Sequence, residues 1–271
     1  KNHTMDGNGK FVFEIPVKGG ERDSTNVVIH DTPGSNLKID YGSILVNGKA
    51  IDETKLKKNS DGSFDITLDK VKANEEIKIT YKGEIKNKKE TDENGGVKDL
   101  NNRYSWTVNG DNGGSGTDWI NGIKYAPGSK SVSNDGQNAQ KLNWTVSLNT
   151  GALKNDISGY QYVDEMTSTN QKYIQDTLRV KDKDGNDITA QCTVNWNSDG
   201  KSFTVVFPTD LGENAKKEYQ ITYSTEPATP LEEGTSVEVK NKGTFGEDEV
   251  KGATGISQKP KPSVTDTEKI E

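Results

Sequence analysis

Two short stretches, NVVIHD at 26–31 and YQYVDEM at 160–166, each set a carboxylate among apolar neighbours. Alternate side chains of an extended strand share a face, so Asp164 falls with Tyr160, Tyr162 and Met166, and Asp31 with Val27 and Ile29. That is the face a strand turns toward its core. A lone buried carboxylate is so costly that it takes up a proton or acquires a partner. Amides are at hand for both. In SVEVKNKGTF the same alternation places Asn241 with Val237, Val239, Gly243 and Phe245, and in LNNRYSW it places Asn102 with Leu100, Tyr104 and Trp106. Buried amides also need partners, and an acid and an amide hydrogen-bonded to each other would satisfy both. A lysine adds a titratable base to each pair: Lys130 stands fourteen residues before Trp144, and Lys1 twelve residues before Phe13.

The elements that would position these residues come in two copies. FVFEIPVKGG (11–20) matches LNWTVSLNTG (142–151), NVVIHDTPG (26–34) matches YQYVDEMTS (160–168), and SILVNGKAID (43–52) matches TLRVKDKDGNDIT (177–189). DGSFDITL (61–68), IKITYKGEI (77–85) and LNNRYSW (100–106) match DGKSFTVVF (199–207), YQITYSTEP (219–227) and VKNKGTF (239–245). Six blocks in one order at a near-constant offset mean a duplicated domain. Each copy reads as short alternating strands separated by NG, DG and GG turns, with no helical period. The fold class expected is all-β, two tandem immunoglobulin-like β-sandwiches with extra strands. Copy one is expected over 1–126, ending in a strand near WINGIKYA (119–126) after a glycine-rich hairpin, NGDNGGSG (109–116). Copy two is expected over 127–258, with 259–271 as a linker or the start of a further domain.

Composition narrows the function classes. A formal net charge of −7, with lysines interspersed among acids, argues against a nucleic-acid surface, which needs concentrated Lys and Arg. No apolar run approaches the length of a membrane span. The single cysteine, Cys192, rules out an intramolecular disulfide and reads as a core or sheet residue. The two histidines, His3 and His30, both lie in copy one, so a Ser-His-Asp site cannot be common to the copies. The loop DKDGND (182–187) has calcium-like alternation but no downstream glutamate, and DG is an ordinary hairpin turn. Neither an enzyme nor a metal or cofactor site is expected.

The order of these features resembles the collagen-binding-type and fimbrial adhesion domains of Gram-positive surface proteins, which carry self-formed isopeptide bonds. The resemblance rests on a lysine ahead of the first core strand, the strand WTVSLN (144–149), strands ending in Asp (VVIHDTPG and YQYVDEM), an I-T-Y strand, and an Asn four residues before an aromatic (NRYSW, NKGTF). Copy one departs by having Phe13 for the tryptophan and its lysine at position 1. What the resemblance implies is an amide between Lys130 and Asn241 with Asp164 as catalyst, and another between Lys1 and Asn102 with Asp31. An apolar pocket lowers an amine pKa and raises a carboxyl pKa, giving a nucleophile and an acid able to shuttle protons. It also implies an extracellular, wall-anchored adhesin or stalk module. Its partners would be a host extracellular-matrix protein such as collagen, or, for a stalk, only neighbouring domains of the same chain. The alternative is a carbohydrate-binding accessory module of a secreted polysaccharide-degrading enzyme, for which exposed Trp119 and Trp196 would be the evidence.

Overall fold

A computed structural model describes residues 1–262, and the end of the expected linker, 263–271, lies outside the described residues. The chain divides into two compact units, Lys1–Tyr125 and Ala126 onward. Both are all-β, and apart from strands the described residues form only three single-turn 3₁₀ segments.

The first unit contains β1 (Asn2–Met5), β2 (Lys10–Lys18), β3 (Ser24–Thr32), β4 (Leu37–Val46), β5 (Lys49–Ala50), β6 (Leu56–Lys58), β7 (Phe64–Val71), β8 (Glu76–Ile85), β9 (Asn102–Val108) and β10 (Asp111–Asp118). They form two antiparallel sheets, β1-β2-β8-β4-β5 and β10-β9-β3-β7-β6. Phe11, Phe13, Ile15, Ile79 and Tyr81 of the first sheet and Val27, Ile29, Phe64 and Ile66 of the second are all buried, as period-2 alternation requires of a two-layer core. Pro16 is tolerated in β2 because β1 pairs with that strand only as far as Glu14, so no neighbour there asks for the missing N–H. Asn47-Gly48 and Asn109-Gly110 all take positive φ, the backbone that tight hairpin turns demand.

The second unit repeats the plan with β11 (Gly128–Asn134), β12 (Leu142–Leu148), β13 (Gln161–Met166), β14 (Lys172–Asp182), β15 (Thr193–Trp196), β16 (Ser202–Val206), β17 (Tyr219–Glu226), β18 (Ser236–Phe245) and β19 (Asp248–Gln258). Its sheets are β11-β12-β17-β14 and β15-β16-β13-β18-β19. Registers correspond at the core positions: Phe13 pairs with Tyr81 as Trp144 pairs with Tyr223, and Asp31 faces Phe64 as Asp164 faces Phe203.

One expectation about copy one needs correcting. No strand runs through 119–126; the glycine-rich stretch is itself the last strand, β10. Its glycines are required by what lies over them. A Cβ on Gly113 or Gly114 would stand 2.4 or 2.6 Å from the Trp106 ring, and one on Gly116 would stand 2.6 Å from the Tyr104 hydroxyl. The glycine-rich hairpin is there, turning at Asn109-Gly110, and the aromatic rings of β9 make glycine the residue that permits its second strand.

Candidate functional site

In the second unit, alternation along β13 turns Tyr162, Asp164 and Met166 into the core, and Asp164 is fully buried. The adjacent strand β18 sets Asn241 opposite Met166 and Gly243 opposite Asp164. Gly243 is glycine because the Tyr162 hydroxyl occupies the space of a side chain, 2.6 Å from where its Cβ would be. From the facing sheet, β11 pairs Lys130 with Val146 and directs its amine inward. Lysine, aspartate and asparagine thus converge from three strands and both layers.

The Lys130 amine donates to Asp164 Oδ2 and to Asn241 Oδ1, and lies 3.1 Å from the Tyr162 hydroxyl. Asp164 Oδ2 also accepts from Tyr162 at 2.6 Å and Tyr223 at 2.7 Å; Oδ1 accepts from Tyr173 and from Asn241 Nδ2, both at 2.7 Å. The rings of Trp144 and Tyr223 each have their centres 5.5 Å from the amine. Lysine and aspartate side chains are both sealed from solvent. Burial holds the Lys130 amine below its ordinary value against the opposing charge of Asp164. Burial, helped by the Asp164 charge, pushes the Tyr162 and Tyr223 phenols well above theirs, so they act as neutral donors.

The first unit brings together the equivalent residues with a different hydrogen-bond pattern. Lys1 Nζ lies 2.5 Å from Asp31 Oδ2, which also accepts from Tyr81 at 2.9 Å. The Asn102 NH₂ donates to the Tyr81 hydroxyl at 2.9 Å instead of to the acid. Two acceptors, Asp31 Oδ1 and Asn102 Oδ1, are consequently buried without a donor. Burial raises the Asp31 carboxyl above its ordinary value, opposed chiefly by Lys1, and lowers the Lys1 amine, opposed by Asp31. A proton on Asp31 Oδ1 or a turned Asn102 amide would supply the missing donor. Beside this cluster, His3 Nδ1 lies 2.9 and 3.0 Å from the two oxygens of buried Asp118, the residue facing Asn102 across β9 and β10.

The six residues singled out in the sequence therefore stand as two clusters, and the tyrosines around them were not singled out. Tyr81 and Tyr223 were legible from the repeat, since the I-T-Y strand puts each on the face of a core isoleucine; the Asp118 carboxylate had no such signal. His30 lies on the outer face of β3, half exposed, 2.5 Å from Asp65. Burial pushes the Cys192 thiol up to about 11. Asp182 of the calcium-like loop accepts from the N–H groups of Asp184 and Asn186, and among the described residues no cluster of ligating side chains could hold a metal. Trp119 is exposed, but Trp196 packs on Phe203 with ring centres 4.8 Å apart.

A domain of unknown function, DUF4861, matches residues 138–269, just under half of the chain. No curated protein matches. The fold is similar to the C-terminal domain of the Streptococcus pyogenes antigen I/II-family protein AspA, at 11% identity and a TM-score of 0.47, covering 95% of this chain and 94% of that one. It is also similar to the C-terminal domain of the Streptococcus agalactiae AgI/II polypeptide BspA, at 14% identity and a TM-score of 0.45, covering 95% of each. A collagen-binding domain from a Staphylococcus aureus adhesin matches 49% of this chain and 97% of its own, at 14% identity and a TM-score of 0.36.

Proposed function

We propose that the chain is a tandem pair of adhesin or stalk modules from a Gram-positive cell surface, each closed by a self-formed amide between a lysine and an asparagine. The observation that carries this is the contact of the Lys130 amine with both Asp164 and Asn241 inside a sealed aromatic pocket.

The chemistry follows from that contact. The Lys130 ammonium passes one proton to Asp164, and the freed amine attacks Asn241 Cγ. Asp164 returns that proton to the departing Nδ2 and takes a second from the new nitrogen. The C–N bond to Nδ2 breaks, ammonia leaves, and a secondary amide remains. Burial favours the neutral amine, and fixed geometry removes most of the entropic barrier. The reaction happens once per site, so it is maturation rather than enzymatic turnover. The product ties β11 in one layer to β18 in the other, and its counterpart ties the start of β1 to β9. Such a tie does in a disulfide-free chain what a disulfide does elsewhere, without being reducible. Two identically tied modules suit a stalk holding a binding head from the wall, or a binder of a matrix protein such as collagen. An extracellular, wall-attached location goes with either role.

The test is intact mass. Each bond expels one ammonia, so the protein should weigh about 17 Da less than its sequence per bond, about 34 Da for both. Asp164→Ala should restore one ammonia and Asp31→Ala the other. A mass equal to the sequence value would leave only hydrogen-bonded core clusters and end this reading.

A further inference from the structure

The two sites share lysine, aspartate, asparagine and one tyrosine, Tyr81 or Tyr223; across from the acid copy one has Tyr104 where copy two has Gly243, and two further registers beside the acid differ. Tyr162 occupies the position two residues before Asp164 that Ile29 occupies before Asp31. Tyr173 pairs with Thr225 in β17 where Ile39 pairs with Gly83 in β8, so these too are equivalent. All four side chains are buried. Only in copy two do both acid oxygens carry donors, and only there does the amide NH₂ bond to the acid rather than to a phenol.

We propose that Tyr162 and Tyr173 are positioning residues for the copy-two crosslink, their hydroxyls pinning Asp164 with Oδ2 at the Lys130 amine and Oδ1 at the departing nitrogen of Asn241. This rests on the crosslink reading above and adds to it a reason for the two tyrosines. A carboxyl that takes a proton from one nitrogen and delivers it to another works fastest when each oxygen already faces its own nitrogen. Tyr162 at 2.6 Å holds the first and Tyr173 at 2.7 Å holds the second. Asp31 is held through Oδ2 alone, by Lys1 and Tyr81, and the Asn102 amide must reorient before reaction. The groups facing Asp164 are Lys130 from β11, Tyr162 from its own strand, Tyr173 from β14, Tyr223 from β17 and Asn241 from β18.

The experiment follows ammonia loss from each copy in the full chain, made by cell-free synthesis and quenched in acid at intervals, with peptide masses assigning each bond. Tyr162→Phe and Tyr173→Phe keep the rings and remove the hydroxyls. Each should slow the copy-two bond by about tenfold or more, the worth of a hydrogen bond to a charged group. Each should also raise the solvent deuterium isotope effect on the copy-two bond, because proton transfer between misaligned groups becomes the slower step. A packing defect that left the carboxyl in place would not change that effect. The copy-one bond should keep its rate in both variants. An unchanged copy-two rate and isotope effect in both would overturn the inference while leaving the crosslink intact. A parent chain whose copy two loses no ammonia would overturn the crosslink reading and this inference with it. Should Tyr162→Phe fail to fold, Tyr173→Phe alone carries the same test.

Discussion

The amine of Lys130 touches both the acid and the amide of its site, whereas the amine of Lys1 touches the acid and leaves the amide bonded to Tyr81. Registers around the lysine and the acid are the same, but the pairing of β18 with β19 is interrupted between Asn241 and Gly243, whereas that of β9 with β10 runs regularly from Asn102 to Trp106, and the side-chain neighbours differ as well. Three phenols hydrogen-bond the acid of copy two, while in copy one only Tyr81 does, with isoleucines in place of the other two and Tyr104 paired across from the acid. Copy one instead sets His3 and Asp118 beside the cluster, at registers where copy two has Val132 and Ala253. The shared sandwich brings lysine, aspartate and asparagine together, and how they pair differs along with the residues one strand away and the strand pairing beside the asparagine.

The largest test of this comparison removes from each copy the asparagine proposed to form the amide. Lys130 and Asn241 are 111 residues apart, and Lys1 and Asn102 are 101 apart, so chain-entropy arguments give nearly equal ties. Asn241→Ala should destabilise copy two by about 5 kcal/mol, and Asn102→Ala should do nearly the same in copy one. Denaturant unfolding, with a fluorescence or hydrogen-exchange probe for each unit, would read the two separately. A large loss in copy two beside none in copy one would mean that the turned Asn102 amide never reacts, and the difference between the sites would be one of kind and not of rate.

A smaller effect, confined to copy one, is its pH dependence when left untied. The Asp31 carboxyl is raised above its ordinary 3.8, so its contribution to stability is complete below that value and is lost as pH rises through the raised one. Lys1 is lowered from 10.5, so its contribution is complete above 10.5 and is lost as pH falls through the lowered value. Asn102→Ala should therefore lose stability on going up from about pH 3.8, relative to Asn102→Ala/Asp31→Asn, in which the carboxyl is gone. Urea midpoints across that range measure the difference. The opposite slope would show that Lys1 holds Asp31 ionised, as in an ordinary ion pair, and burial would not be the dominant influence at this site.

What the sequence revealed of these sites tracks how each residue is specified. Asp31, Asp164, Asn102 and Asn241 were legible because a polar residue on an apolar period-2 face stands out, and because duplication shows it twice. Lys130 and Lys1 were legible only through their places ahead of the first core strand. The closing strand of copy one was placed at 119–126, one segment too late, because glycine signals turns by composition, and only the rings of Trp106 and Tyr104 above β10 make glycine a strand residue. Tyr173 escaped notice because the fit of β14 against β17 is interrupted between Ile174 and Arg179, and no count along the chain gives a register through an irregularity. The partnership of His3 with Asp118 spans 115 residues between strands that are not neighbours, a separation that local pattern does not encode.

That partnership supplies the smallest and most specific test. His3 and Asp118 seal the flank of the copy-one cluster by a polar contact, where Val132 and Ala253 pack apolar surface against the copy-two core. Losing one partner of a buried polar pair costs more than losing both, because the survivor is left desolvated without its bond. Asp118 is the more deeply buried of the two, so His3→Val alone should be the worst variant, destabilising copy one by about 2 kcal/mol. Asp118→Ala alone should cost less, since the half-buried imidazole keeps access to water. His3→Val/Asp118→Ala, which installs the copy-two residues, should return to within about 1 kcal/mol of the parent, and the double-mutant cycle gives the coupling directly. A double variant no better than His3→Val would show that the apolar pair cannot stand in for the polar one, because the ring and carboxylate hold β1 against β10 in a way that packing does not reproduce. Lys1 stands just ahead of β1, two residues before His3, so the same variant would then also lose its copy-one ammonia more slowly.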